Sequence, residues 1–461
     1  MKLDKKNIFP LLIYMVGLVY WYLFYFRGAP AIAHGDWVKE QVYLDTLRIS
    51  LEQLAIPWAW DKVFYFSSPL FMANPEVVFT PDVVLLRVLT NQHFFYLHHC
   101  LFYSLGFFTL SKIATQLRLQ TPAYLFIFLI FNFNGYVTSH ISEGHFQWTG
   151  YYLIVTFLYL LYQSCRESAI TVRDVLAGGV LGLLFANGSF HIAIWLSLFA
   201  GLILVFERRT WMKLFVILLI GCSLGAFRIL PALLYFATAS TKGMQSGYTD
   251  ISLLLNSLTQ LRGHGFGATT LQGWWEYSLY IGFTGFFVLI IGVVMYLRSE
   301  FMQNRLTQQW VLAATLLFLL SLGNTWGVLV TFHLPLGGIE RLSSRFIVIP
   351  FVLCALACTY MFNNLLNTLS SKIANQVFCT LVGFIAIDLF YQFLNWSLIA
   401  TEAASGGGSV IPNVPILAEV SVDFKLTVAI SWMVTGVAGI VSYVYLRHLR
   451  CQRSFEQTQK Y

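Results

Sequence analysis

Charge is what this chain has least of. Only 11% of its 461 residues are charged, while 57% are hydrophobic and 17% aromatic, and the mean hydropathy is +0.69. A chain so poor in polar surface cannot cover itself for water, which excludes the soluble classes and leaves a polytopic membrane protein. Cysteine is sparse and unpatterned. Cys100, Cys165, Cys222, Cys354, Cys358, Cys379 and Cys451 fall in apolar runs or short basic connections, in neither a disulfide framework nor a zinc spacing. No internal repeat, low-complexity tract or soluble domain interrupts the chain, and Gly406-Gly407-Gly408 reads as flexible loop. The absence of a phosphate-cradling glycine loop argues against a nucleotide site.

What the chain does have is a succession of apolar runs of about 20 residues, the length a helix needs to cross roughly 30 Å of hydrocarbon. Twelve are read, at roughly 8–26, 93–111, 122–139, 147–163, 175–188, 191–206, 214–236, 279–297, 310–322, 346–363, 377–396 and 426–446. Barrel strands would be about half as long and would alternate in polarity. The expected fold is therefore all-α, a single polytopic membrane domain over 1–461. The stretch from Val175 to Phe206 reads as a short hairpin broken at Asn187-Gly188-Ser189, because Arg173 precedes it and Arg208, Arg209 and Lys213 follow it. Lys2, Lys5 and Lys6 before an apolar run, with Ala31-Ile32-Ala33 after it, imitate a secretory signal. The run exceeds the usual core of about 7–15 residues and reads as a retained first helix.

With these spans the cytoplasmic segments carry 17 Lys and Arg against 6 Asp and Glu, and the outer segments 10 against 14. The net charge of +7 is then a topology signal that puts both termini in the cytoplasm and argues nothing for nucleic acid. The long loops, at about 27–92, 237–278, 323–345 and 397–425, all face outward, so chemistry is expected on that face. In the first of them Leu44, Leu47, Leu51, Leu54 and Ala55 share one helical stripe and Gln41, Asp45, Arg48 and Glu52 another. This predicts an amphipathic helix lying on the membrane surface, followed by an aromatic stretch from Pro57-Trp58-Ala59-Trp60 to Phe71 at headgroup level.

Ionisable and polar side chains gather at the outer helix ends. Asp36, in His34-Gly35-Asp36-Trp37, is the leading candidate: a carboxylate beside an aromatic ring at the bilayer edge can take a proton from a substrate hydroxyl. It also reads as the N-cap of the helix that follows. His140, Glu143 and His145 offer ligand-type atoms without a diagnostic metal spacing, so a divalent metal is not favoured. Glu143, His145, Gln147 and Trp148 suit sugar hydroxyls and a stacking platform, and His34, Trp37, His264 and Glu276 complete the expected substrate contacts. Arg228, inside an apolar span, requires a cavity or a partner. A lipid phosphate would provide one, as would snorkelling or a carboxylate. Arg341 and Arg345 could share the phosphate role, and Asp388 reads as a structural hydrogen-bonding group within the bundle.

Short motifs occur in a telling order: Gly35-Asp36, Ala73-Asn74-Pro75 through Pro81, Gly144-His145, Gly265-Phe266-Gly267, Trp275-Glu276, Tyr280-Ile281-Gly282, Leu334-Pro335, and Arg341 with Ser344-Arg345-Phe346. In that order the chain up to about residue 360 resembles the GT-C superfamily of integral membrane glycosyltransferases, and within it the YfhO-like bacterial membrane proteins. The resemblance implies an all-helical fold with an outward active site, and a polyprenyl-phosphate-linked sugar as donor. It also implies a first-loop acid, Asp36, as the catalytic residue. Many members of the superfamily carry adjacent acids there, whereas Trp37 follows Asp36 here, with Glu40 one turn on as the nearest substitute. The acceptor would be a glycan, lipid or protein hydroxyl. A twelve-helix secondary transporter or lipid flippase also fits the span count, but would show two similar halves and short outer loops. A catalytically silent envelope scaffold would leave Asp36 and Arg228 unexplained.

Overall fold

The computed structural model describes residues 5–27, 36–59, 70–167, 169–206, 211–238, 247–263, 273–325, 327, 342–369, 372–397 and 420–458. Among them regular structure is helical, with an isolated bridge between Tyr248 and Leu322. Among the described residues five helices are long and apolar enough to cross a membrane: Ile8–Phe26, Thr121–Ser142, Ser343–Leu369, Lys372–Trp396 and Val422–Leu449. The pair Trp211–Leu224 and Ala226–Leu234 makes a sixth if read as one span, but it bends by 73° at Gly225. Phe190–Ile203 and Gly282–Leu297 are apolar but shorter. The chain divides into two compact units.

The first unit comprises 1–38, 95–155 and 242–408. Its core is aromatic, as the composition requires. Trp21 and Tyr25 of the first helix meet His99, with Tyr25 Oη 3.1 Å from His99 Nδ1, and Trp21 and Tyr103 also pack on Tyr152. Gly17 lets the Tyr103 ring reach the helix backbone, since a Cβ there would lie 1.9 Å from its hydroxyl. Leu12, Met15, Val16 and Val19 are left exposed on the same helix, an apolar face suited to lipid. The run read as one span at 122–139 lies within the candidate span Thr121–Ser142, which is interrupted between Thr121–Phe133 and Gly135–Ser142. Asn134 makes the break. Its Oδ1 accepts from the Tyr136 and Val137 amides, while its Nδ2 donates to the Ile130 and Phe131 carbonyls and to Tyr151 Oη. One side chain thus satisfies the end of one helix and the start of the next.

The second unit comprises 39–94, 156–241 and 409–461. Here the hairpin breaks where Asn187-Gly188-Ser189 indicated, with Gly188 at φ +75° between Val172–Ala186 and Phe190–Phe206. Gly178 and Gly182, four apart, bring Val172–Ala186 against Trp211–Leu224; a Cβ on either would lie 2.7 Å from Ile220 or Leu224. The helix expected in the first outer loop runs over Trp37–Gln53 and stops at Leu54, at φ +52°. Within this unit Leu44 and Leu47 of the apolar stripe are buried, but so are Tyr43, Thr46 and Ser50, while Leu54 of the same stripe lies past the helix end and is exposed. More than one face of the helix is therefore packed inside the protein, a correction to the picture of a helix resting on a surface.

Candidate functional site

In the first unit the Gly135–Ser142 helix gathers two distant segments, the stretch 274–280 and the Lys372–Trp396 helix. Gly135 accepts the chain at 278–280: its N–H donates to Tyr280 O at 2.8 Å, and a Cβ would collide with Ser278 Oγ and Tyr280 N, each 2.3 Å away. Ser139 Oγ donates to Trp275 O at 3.2 Å. On the Lys372–Trp396 helix, Gln392 Nε2 donates to Thr138 Oγ1 at 2.7 Å and Trp396 O accepts from Ser142 Oγ at 2.6 Å. The short 3-10 turns Trp274–Glu276 and Ser343–Ile347 then present Glu276 and Arg345.

Gly144 brings in Asp36. It lies at φ +91°, and a Cβ on it would sit 2.2 Å from Trp37 N and 2.6 Å from Asp36 C. The Asp36 N–H donates to Glu143 O at 2.9 Å, and the Trp37 indole N–H donates to Ser142 O at 3.0 Å. Only glycine tolerates both the left-handed conformation and a main chain passing so close. The Gly144-His145 pair is thus explained physically, because this contact puts Asp36 Oδ2 3.4 Å from His145 Nε2.

Beyond His145 the groups become progressively drier. His145 Nδ1 is 2.8 Å from His140 Nδ1, so a single proton is shared between the two rings. Arg345 holds Glu276 in a fork, Nε to Oε2 at 2.8 Å and Nη2 to Oε1 at 2.7 Å, and its guanidinium lies 5.1 Å from the centre of the Trp148 ring. Side-chain exposure falls from 40% at Asp36 to 11% at His145 and 4% at Glu276. Asp36 is therefore the group that meets solvent or a substrate first. Burial pushes the Glu276 carboxyl up, but Arg345, His140 and His145 together outweigh it and hold the acid well below the ordinary carboxylate range. His140, His145 and Glu276 each offer a ligand atom within 4.8 Å of the others, all three residues buried.

The expected substrate residues are thus partly united. Asp36, Glu143, His145, Gln147, Trp148, Glu276 and Arg345 belong to this unit, whereas His34, Gly35, His264 and Arg341 lie outside the described residues. Two roles change. Trp37 is wholly buried against Tyr25, Phe95 and Phe146, which makes it packing, not a substrate contact. Trp148 is buried too, its ring tilted against His140 and under Arg345 instead of open to a sugar. Arg228 makes its contacts within the second unit. Its Nη2 donates to Asn74 O and Val77 O at 2.7 and 2.8 Å, its Nη1 lies 3.4 Å from Met72 O, and its guanidinium rests over Phe79. It clasps the Ala73-Asn74-Pro75 segment, so carbonyls engage both Nη groups, while the buried Nε has no hydrogen-bond partner. Glu40, buried, has Lys39 Nζ 4.0 Å away. Asp388 lies against Gly282, itself at φ +73°.

Asn134 and Gly135, which shape the site, escaped the sequence reading. Their signal was present, since Asn-Gly is a turn dipeptide even inside an apolar run. No protein-family model, no curated protein and no solved structure matches the chain.

Proposed function

We propose that this protein is a GT-C-like membrane glycosyltransferase that uses a polyprenyl-phosphate-linked sugar and transfers it to an acceptor hydroxyl outside the cytoplasm. The observation that carries the reading is the meeting of half-exposed Asp36 with His145 beside a buried Glu276–Arg345 pair. In this reading the chain crosses the membrane about twelve times with both termini cytoplasmic, as the charge distribution favours.

Asp36 is the general base. Its carboxylate accepts the acceptor hydroxyl proton as the oxygen attacks the anomeric carbon, and the adjacent His145 stabilises and orients it. The donor keeps its prenyl chain in lipid while negative charge grows on the departing phosphate, a charge that Arg345 and Arg341 are disposed by type to offset. Glu276 holds Arg345 in place, so the guanidinium needs no reorganisation during the reaction.

The test supplies purified protein in liposomes with prenyl-phosphate sugars and follows sugar release or transfer. Asp36→Asn is expected to lose about 100-fold or more of turnover. Equal turnover by the variant removes Asp36 as base. Movement of substrate without bond cleavage would instead identify a transporter or flippase.

A further inference from the structure

We infer that His140, His145 and Glu276 form a binding site for one zinc-class divalent ion, with Asp36 as the carboxylate that orients His145. The sequence offers no recognisable spacing for such a site. The fold supplies it by turning the chain at Gly144, so that His140 on the last helical turn and His145 just beyond meet through their Nδ1 atoms at 2.8 Å.

Two imidazoles and one carboxylate are a borderline donor set. Hard ions such as Mg2+ and Ca2+ prefer all-oxygen shells, whereas Zn2+ takes His2Glu readily and keeps a fourth position for water or substrate. With Zn–N bonds of about 2.0–2.1 Å, tetrahedral ligand atoms stand about 3.3 Å apart. The histidine nitrogens need to open by about half an ångström from 2.8 Å, and Glu276, with all three ligand atoms inside 4.8 Å, needs to swing inward. Both are side-chain adjustments. The proton between the two Nδ1 atoms moves to His140 Nε2 as the ion enters, so that both rings ligate as neutral imidazoles through Nδ1.

The second observation is at the far side of His145. Its Nε2 faces Asp36 Oδ2 at 3.4 Å, which favours the tautomer with hydrogen on Nε2 and the lone pair on Nδ1, where the ion would sit. A carboxylate behind a ligating histidine is the usual outer partner in such sites. Charge also fits. The Glu276, Asp36 and Arg345 charges sum to −1, so a divalent ion leaves the site at +1, suited to an anionic oxygen at the fourth position.

This inference stands apart from sugar transfer and is tested without it. Full-length protein in detergent is dialysed against chelator, reloaded with Zn2+ or Co2+, and examined for metal content by mass spectrometry, cobalt visible absorption and thermal stability. Wild type should retain about one ion per chain, give the strong visible bands of tetrahedral Co2+, and melt higher with Zn2+ than with EDTA. His140→Ala and His145→Ala should lose the ion, and His93→Ala, a change at a histidine outside the cluster, should keep it. Asp36→Asn should retain stoichiometry but bind about 10–100-fold more weakly. Should an alanine variant fail to fold, His145→Asp, which restores an oxygen ligand, and the wild-type cobalt spectrum still decide. No stoichiometric ion in wild type, or undiminished binding in both histidine variants, overturns the site.

Discussion

Gly144→Ala is the substitution that isolates the contact on which the site depends. The added Cβ would stand 2.2 Å from Trp37 N, where ordinary contacts begin at 3.4 Å, so the two backbones must separate by about 1.2 Å. Holding alanine at φ +91° costs about 1–2 kcal/mol, and losing the Asp36 N–H bond to Glu143 O adds about 1 kcal/mol. The expected loss is thus about 2–3 kcal/mol, read as a lower melting temperature by tryptophan fluorescence in detergent. A displacement of about 1 Å at Asp36 should also cost about 100-fold in turnover, because catalytic groups tolerate little misplacement. The matched control is Gly179→Ala, a helical position with nothing within 4 Å of the new Cβ, which should be neutral or slightly stabilising. If Gly144→Ala melts and turns over like that control, Asp36 is not held by this contact and the account of the site is wrong.

Removing Arg345 strands a buried carboxylate, so Arg345→Ala should cost about 3–5 kcal/mol, and adding Glu276→Gln should return much of it in a double-mutant cycle. Because the Glu276 carboxyl is depressed in the folded protein, its stabilisation is complete above the unfolded value of 4.5 and drains away as pH falls toward the folded one. Melting temperature attributable to this group should accordingly be flat from pH 8 to about 5 and fall below about 4, with a shallower acid decline in Glu276→Gln; an unchanged profile would contradict the pairing. Arg228→Lys should destabilise nearly as much as Arg228→Ala, since one ammonium cannot serve the Met72, Asn74 and Val77 carbonyls together; proteolysis near residues 72–77 would report it, and full rescue by lysine would refute the clasp.

Hydrophobic run length made the helices legible, and a polar triplet marked the hairpin at Asn187-Gly188-Ser189. The break at Asn134 and the bend at Gly225 were not seen, because a lone small or polar residue barely lowers the hydropathy of a run. Asp36, His145, Glu276 and Arg345 were all singled out from position and residue type. Their pairing was not readable, since Glu276 and Arg345 are 69 residues apart and nothing in either neighbourhood names the other. The contacts of Arg228 were unreadable for a related reason. Its partners are main-chain carbonyls, which every residue carries and which therefore leave no trace in a sequence.

The short Gly135–Ser142 helix has a consequence for how the protein is made. Thr138, Ser139, His140 and Ser142 give its eight residues little reason to remain in lipid alone, and all are buried against protein. Two of the groups that satisfy them, Gln392 and the Trp396 carbonyl, arrive 254 residues later in the chain. The ribosome must therefore finish most of the polypeptide before this helix can settle. A nascent chain stopped short of residue 396 would hold Asp36 and His145 but no completed site.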